Sequence, residues 1–250
     1  WFSLRVLDPG RDRPLASLVS PSAARGYSLL LVTLDTVRAD RLGCYGYAAA
    51  ETPSIDLLAR EGIRCETATA STPLTLPSHA TILTGLYPPR HGARDNGLFE
   101  VAREPVTLAE SFRDRGYATA AFVGSFVLDE RYGLQQGFDT YDFRVSASGF
   151  RPQMVDFNER PAAEVTDAVL GWLREWKAGE ARPFFAWVHY FDPHEPYLSP
   201  LQGEARFAGR PYDAEIAYVD RELGRLFREL EAMGERKRTV VVLAADHGDS

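Results

Sequence analysis

Asp35, Thr75, Asp246 and His247 are the side chains whose types and settings could do chemistry together. Asp35 follows an almost continuous apolar run over residues 27–34, and Asp246 with His247 follows another over 239–245. Two carboxylates and an imidazole, joined by a hydroxyl oxygen, make a divalent-cation set. Oxygen-rich ligation of this kind suits Mn, Mg or Ca, and the single imidazole admits Zn. Thr75 opens the stretch Thr-Leu-Pro-Ser-His-Ala-Thr-Ile-Leu-Thr-Gly. Pro77 suits the first turn of a helix and Gly85 the αL position that ends one, so the Thr75 hydroxyl is expected just ahead of a helix N-terminus. Unpaired backbone N–H groups and the positive dipole end favour an anion there. The hydroxyl can therefore bind an oxyanion or, once deprotonated, attack one. Alone, Thr75 reads as an N-cap and either Asp as a turn-former. Two strand-end acids with a His beside one shift the reading to chemistry.

The five histidines, His79, His91, His189, His194 and His247, are expected in loops or at strand ends, with none on a core helix face. His91 and His189 read as structural. His194, held between prolines in Asp-Pro-His-Glu-Pro-Tyr, reads as a substrate contact that stabilises a leaving oxygen or donates a proton. Asp-Asn-Gly at 95–97 is first a turn signal, and its closeness to Thr75 makes Asn96 a secondary substrate contact. A serine hydrolase built on Ser78 and His79 is disfavoured. Adjacent residues rarely orient as nucleophile and base, and no Gly-x-Ser-x-Gly turn is present.

The elements that must position these groups alternate. Apolar runs at 27–34, 117–123, 183–189 and 239–245 read as strands buried on both faces. Helices are expected at 53–61, 105–115, 162–177 and 213–233, the first bracketed by Pro53 and Gly62. Residues 124–160 look irregular, and 1–26 read as an approach segment ahead of a single domain over 27–250. Such alternation predicts an α/β fold, a largely parallel sheet with helices on both faces. Its ligand site lies beyond the carboxyl ends of the strands, where Asp35 and Asp246 fall.

Composition narrows the class. With 250 residues, 45% hydrophobic and 25% charged, the chain can bury a sizeable core, and a formal net charge of −7 leaves no basic stripe for nucleic acid. Cys44 and Cys65 could pair or stay free. No apolar run approaches the ~20 residues needed to span a bilayer. The chain begins at Trp1 and stops at Ser250, just past the acidic cluster. That leaves room for a signal peptide or membrane anchor upstream, hence a periplasmic, extracytoplasmic or membrane-anchored setting, and for catalytic residues downstream.

Four ordered motifs carry a family resemblance: Leu-Val-Thr-Leu-Asp-Thr-Val-Arg-Ala-Asp-Arg-Leu-Gly-Cys-Tyr-Gly around Asp35, the Thr75 stretch, His-Tyr-Phe-Asp-Pro-His-Glu-Pro-Tyr around His194, and Ala-Asp-His-Gly-Asp at Asp246. From about residue 27 onward the chain resembles the sulfatase family of the alkaline phosphatase superfamily. The resemblance implies an alkaline-phosphatase-like layered fold, C-terminally incomplete here. It also implies one divalent metal held by Asp35, Asp246 and His247, with Thr75 as nucleophile and further metal ligand. Asn96 and His194 would contact the transferred group. Three positions depart from that pattern. Sulfatases carry a Cys or Ser matured to formylglycine where Thr75 stands, an Arg where His79 stands, and often an Asp where Thr36 stands. A Thr nucleophile resembles the phosphodiesterases, phosphonate monoester hydrolases and lipid-headgroup phosphotransferases of the superfamily. The expectation is a hydrolase of phosphate or phosphonate esters, or of sulfate esters, acting on a small molecule, lipid or glycan. The rivals are a headgroup phosphotransferase and a catalytically silent metal-binding domain.

Overall fold

A computed structural model describes residues 5–8, 11–14, 26–144, 160–179 and 182–249. Most of the approach segment and part of the irregular region 124–160 lie outside the described residues. Near the start, β1 (Arg5–Asp8) and β2 (Arg11–Pro14) pair antiparallel. The rest of the fold is built on five strands: β3 (Ser28–Leu34), β4 (Ala118–Phe122), β5 (Thr140–Asp142), β6 (Phe184–Tyr190) and β7 (Thr239–Ala245). They form one sheet in the order β5-β4-β6-β3-β7, and every neighbouring pair is parallel.

Register places the chemistry. Leu34 pairs with Tyr190 on one side and Ala245 on the other. Asp35 and Asp246, each one residue further on, therefore leave the sheet side by side. Alternation then divides the sheet into two faces. Leu30, Val32 and Leu34, with Phe184, Val188 and Tyr190, pack on one core beneath α1 (Pro53–Glu61), α5 (Ala162–Ala178) and α6 (Pro211–Ala232). Leu31, Phe185, Trp187 and Ala121 pack on the other beneath α2 (Thr75–Thr84) and α4 (Leu108–Arg113), with α3 (Pro88–His91) following α2. Helices on both faces are thus as expected. No described helix is long and apolar enough to cross a membrane, and both cysteines are free.

Three expectations need correction. β7 is not buried throughout: it is a sheet edge, and Val240 and Val242 are each 42% exposed. Their partners Leu29 and Leu31 lie on the α2 side, whose helical cover stops short of β7. The helix expected over 105–115 is shorter, because Thr107 and Glu110 form a capping box that starts α4 at Leu108. The last helix begins earlier, at Pro211, where the missing N–H is harmless.

Helix α5 enters without a side-chain cap of its own, following Pro161. Its Ala162 N–H is instead accepted by Asp192 Oδ1 at 2.9 Å, from the loop after β6. Asp192 Oδ2 is sealed from water without a partner, and this burial pushes the carboxyl up from 3.8 to about 7. A raised carboxyl contributes most below its unfolded value and loses that contribution as pH climbs to the folded one. Asp192→Asn keeps an acceptor for Ala162 and removes the buried charge. It is expected to match the wild type in denaturant unfolding near pH 4 and to be a few kcal/mol more stable near pH 8, at about 1.4 kcal/mol per pK unit. An equal effect at both pH values would contradict this.

Candidate metal and nucleophile site

Helix α2 is buried over nearly its whole surface, although six of its ten residues carry hydroxyl or imidazole groups or are proline. Each buried polar group must find a partner, and those partners lock the helix to the strand ends. Ser78 Oγ donates to the Asp246 carbonyl at 2.6 Å. Thr81 and Thr84 hydroxyls donate back to Pro77 and Ala80 carbonyls. Ser78 is therefore spent on structure rather than held ready as a nucleophile. Gly85, at φ 69°, closes the helix in the left-handed region and donates to Thr81 O at 2.8 Å.

Thr75 is the first residue of α2 rather than the one ahead of it; Leu74 is the N-cap. The expected anion site at this helix end is largely filled from within. Leu76 N–H donates to Asn96 Oδ1 at 3.0 Å, Ser78 N–H to the Leu74 carbonyl at 3.0 Å, and Pro77 has no N–H to offer. Asn96, expected as a substrate contact, thus uses its carbonyl oxygen to cap the first turn.

The three side chains expected to hold a metal converge. One ligand atom from each of Asp35, Asp246 and His247 lies within 4.8 Å of the others. His247 Nε2 is 3.7 Å from Asp35 Oδ1 and 3.5 Å from Asp246 Oδ2. Thr75 Oγ1 joins them, 3.5 Å from His247 Nε2 and donating to Asp35 Oδ2 at 3.4 Å. The hydrogen-bonding state of these atoms tests whether a cation fits. Asp35 Oδ1 and Asp246 Oδ2 are buried without any hydrogen-bond partner. His247 Nδ1 lies 3.0 Å from the Gly248 carbonyl, which can only accept. A neutral ring therefore turns a bare Nε2 toward the two orphaned oxygens. Three lone-pair donors facing one another without protons suit a divalent cation.

Electrostatics agree. Burial pushes the Asp35 carboxyl up to about 6, against the pull of His194, His247 and the Thr75 hydroxyl. Asp246 is likewise raised, by burial and by the like charge of Asp35. Asp246 Oδ1 is held by the backbone N–H groups of His247 at 2.8 Å and Thr36 at 3.2 Å.

Thr36 matters more than its sequence context indicated. It adopts φ 54°, uncommon for a β-branched residue. From there its hydroxyl donates to the Pro193 carbonyl at 2.9 Å, tying the His194 loop to the end of β3. His194 itself stacks on Phe191 at 4.6 Å, and its Nδ1 lies 2.7 Å from the Glu195 carbonyl. That bond needs a proton on Nδ1, leaving Nε2 for a ligand.

The other histidines divide. His91 is buried and packs structurally as expected, with Nδ1 accepting from Ala93 N–H and Nε2 3.2 Å from Thr81 Oγ1. His79, contrary to expectation, sits inside a core helix, fully buried and 5.4 Å from the Trp187 ring. His189 lies with Nε2 3.3 Å from Asp35 Oδ2. Burial pushes both rings down to about 3, so both are neutral. One signal for this layer was present in the sequence: Thr33 and His189 are polar interruptions of apolar strands, and register makes them partners.

Residues 28–250 match the family model described as Sulfatase. The chain belongs to the sulfatase family. Among its curated relatives, the ulvan-active sulfatase of Formosa agariphila is 27% identical over 264 residues, covering 89% of this chain and 50% of that protein. Human arylsulfatase A is 25% identical over 284 residues, covering 95% of this chain and 55% of that protein. The chain thus spans about half the length of these relatives. The crystal structure of the phosphonate monoester hydrolase of Agrobacterium radiobacter superposes with a TM-score of 0.67 at 20% identity, covering 89% of this chain and 63% of that one. The alkaline-phosphatase-like α/β fold expected for this sulfatase-family chain is the fold it has.

Proposed function

We propose that the protein is a metal-dependent ester hydrolase acting through a covalent Thr75 ester, with phosphate diesters or phosphonate monoesters preferred over sulfate esters. The observation that carries this reading is the position of Thr75 Oγ1, 3.4 Å from Asp35 Oδ2 and 3.5 Å from His247 Nε2, against the converging lone pairs. Asp35, Asp246 and His247 would hold a divalent cation, with Mn, Mg, Ca or Zn compatible with the donors. Bound there, the cation supplies Lewis acidity that lowers the cost of ionising a hydroxyl and of building negative charge.

The chain's own residues supply the rest. Thr75 gives its hydroxyl proton to Asp35 as its oxygen attacks phosphorus or sulfur in line, and the bond to the ester's alcohol oxygen breaks. His194, with its Nδ1–H held by the Glu195 carbonyl, acts as the imidazolium and passes its Nε2 proton to the departing alcohol. Asn96, with its carbonyl spent on Leu76, keeps its amide N–H groups for an oxygen of the transferred group. Water then attacks the Thr75 ester, giving a proton back to His194 Nε2, while the Thr75 oxygen leaves and takes back the proton held by Asp35. An acceptor alcohol in place of water would make the same site a transferase.

Residue identity favours phosphoryl esters, because a threonine cannot be converted to formylglycine. The names of the curated relatives favour sulfate esters as the second reading. Parallel rates on aryl sulfate, aryl phosphate, aryl phosphodiester and aryl phosphonate, with full-length protein and Mn(II), separate them. The expected order puts the phosphodiester or the phosphonate first, at least about tenfold ahead of the sulfate, roughly 1.4 kcal/mol in barrier. A faster sulfate ester would overturn the preference.

A further inference from the structure

Beneath the cluster, on the sheet face covered by α2, lie Thr33, His79, Trp187 and His189, all fully buried. Their hydrogen bonds admit one arrangement of protons. A carbonyl only accepts, so His79 Nδ1, 2.7 Å from the Thr75 carbonyl oxygen, must carry a proton. An indole N–H only donates, so Trp187 Nε1 fills a lone pair of Thr33 Oγ1 at 2.9 Å. The Thr33 hydroxyl proton then points to His79 Nε2, 2.9 Å away, the bare nitrogen of a neutral ring.

His189 is arranged the opposite way. The Gly124 N–H donates to its Nδ1 at 3.4 Å, so in the neutral ring the proton sits on Nε2. That N–H lies 3.3 Å from Asp35 Oδ2 and His79 Nδ1 3.6 Å from Asp246 Oδ2, both charge–dipole contacts without hydrogen-bond geometry. The two rings meet edge to face with centroids 4.8 Å apart. A turned His79 ring would break both of its hydrogen bonds, and a turned His189 ring would lose the one from Gly124 N–H.

We propose that His79 and His189 are positioning residues held in opposite tautomers, His79 fixing the Thr75 backbone through Nδ1–H and His189 turning the positive end of its Nε2–H dipole toward the Asp35 carboxylate. The roles so supported rest on the assignment of Thr75 and Asp35 above; the tautomers do not. Groups one layer behind a metal ligand set its orientation, and losing one typically costs about 10–100-fold in metal affinity or activity.

Amide side chains test this because each copies one imidazole nitrogen. Asn carries its N–H near the place of Nδ1, and Gln carries its N–H near the place of Nε2. At position 79, His79→Asn should stay within about tenfold of wild-type kcat, and His79→Gln should lose about 10–100-fold with KM little changed. At position 189 the order reverses, read as Mn(II) affinity by calorimetry on full-length protein. His189→Gln should hold the metal, and His189→Asn should bind it about 10–100-fold more weakly. Equal losses for both amides at either position, or the reverse order, would overturn the proposal.

Nitrogen NMR of the wild-type protein with labelled histidine needs no variant to fold. It should show His79 protonated on Nδ1 and His189 on Nε2; either proton on the other nitrogen overturns the proposal. If both tautomers are found and Thr75→Ala retains full turnover, the functional reading fails and the tautomers stand.

Discussion

Thr75→Ala is expected to lower kcat by at least about 10⁴-fold, the scale on which losing a covalent nucleophile acts. The variant loses only a hydroxyl and a methyl from a buried position, and Asp35, Asp246 and His247 all remain. Mn(II) binding should therefore persist, weakened by the loss of one neutral oxygen. This separates a missing nucleophile from a collapsed site. Thr75→Ser keeps the hydroxyl and frees its rotamer, since the methyl that restricts χ1 is gone. It should retain a measurable fraction of turnover, and its deficit should lie in kcat rather than KM. Turnover in Thr75→Ala equal to the wild type would remove Thr75 from the chemistry.

Asp35→Asn should act with opposite signs on activity and on metal-free stability. Asp35 is fully buried beside Asp246, and burial raises its carboxyl to about 6. The amide keeps an oxygen for the Thr75 hydroxyl and removes one of two like charges facing each other. Metal-free Asp35→Asn should therefore melt above the metal-free wild type near pH 8. Adding Mn(II) at a hundredfold excess over its Kd should stabilise the wild type by about 2.7 kcal/mol and leave the variant unmoved. Turnover by the variant should fall by more than the roughly 10–100-fold expected for losing a group one layer further out. An equal metal-induced shift in both proteins would show that the cation binds elsewhere.

The sequence revealed what period and punctuation can reveal. β7 lies where the apolar run predicted it, and β3, β4 and β6 lie within a residue of theirs, because buried parallel strands are continuous apolar runs. With those strands placed, the juxtaposition of Asp35 and Asp246 followed from the rule for parallel sheets. β5 has three residues, Thr140–Asp142, too few for any pattern to register. The exposed face of β7 depends on how far α2 extends, which no local signal carries.

Partnerships made in three dimensions were the least legible. Asn96 looked free for substrate because its acceptor role depends on Leu76 N–H, twenty residues away. His79 was counted with the loop and strand-end histidines although Pro77 and Gly85 bracket it in a helix, because nothing local shows that this helix is buried on nearly every side. His189 was read as structural, and it does sit inside a strand. Only the pairing of Thr33 with His189 puts it behind Asp35.

The covalent Thr75 ester predicts a stereochemical outcome. An aryl phosphodiester made chiral at phosphorus by isotopic oxygen and sulfur, hydrolysed by the full-length enzyme in heavy-oxygen water, reports how many displacements occur. Two in-line steps, first by Thr75 and then by water, give net retention at phosphorus. Net inversion would mean that water attacks directly, and it would contradict Thr75 as the nucleophile.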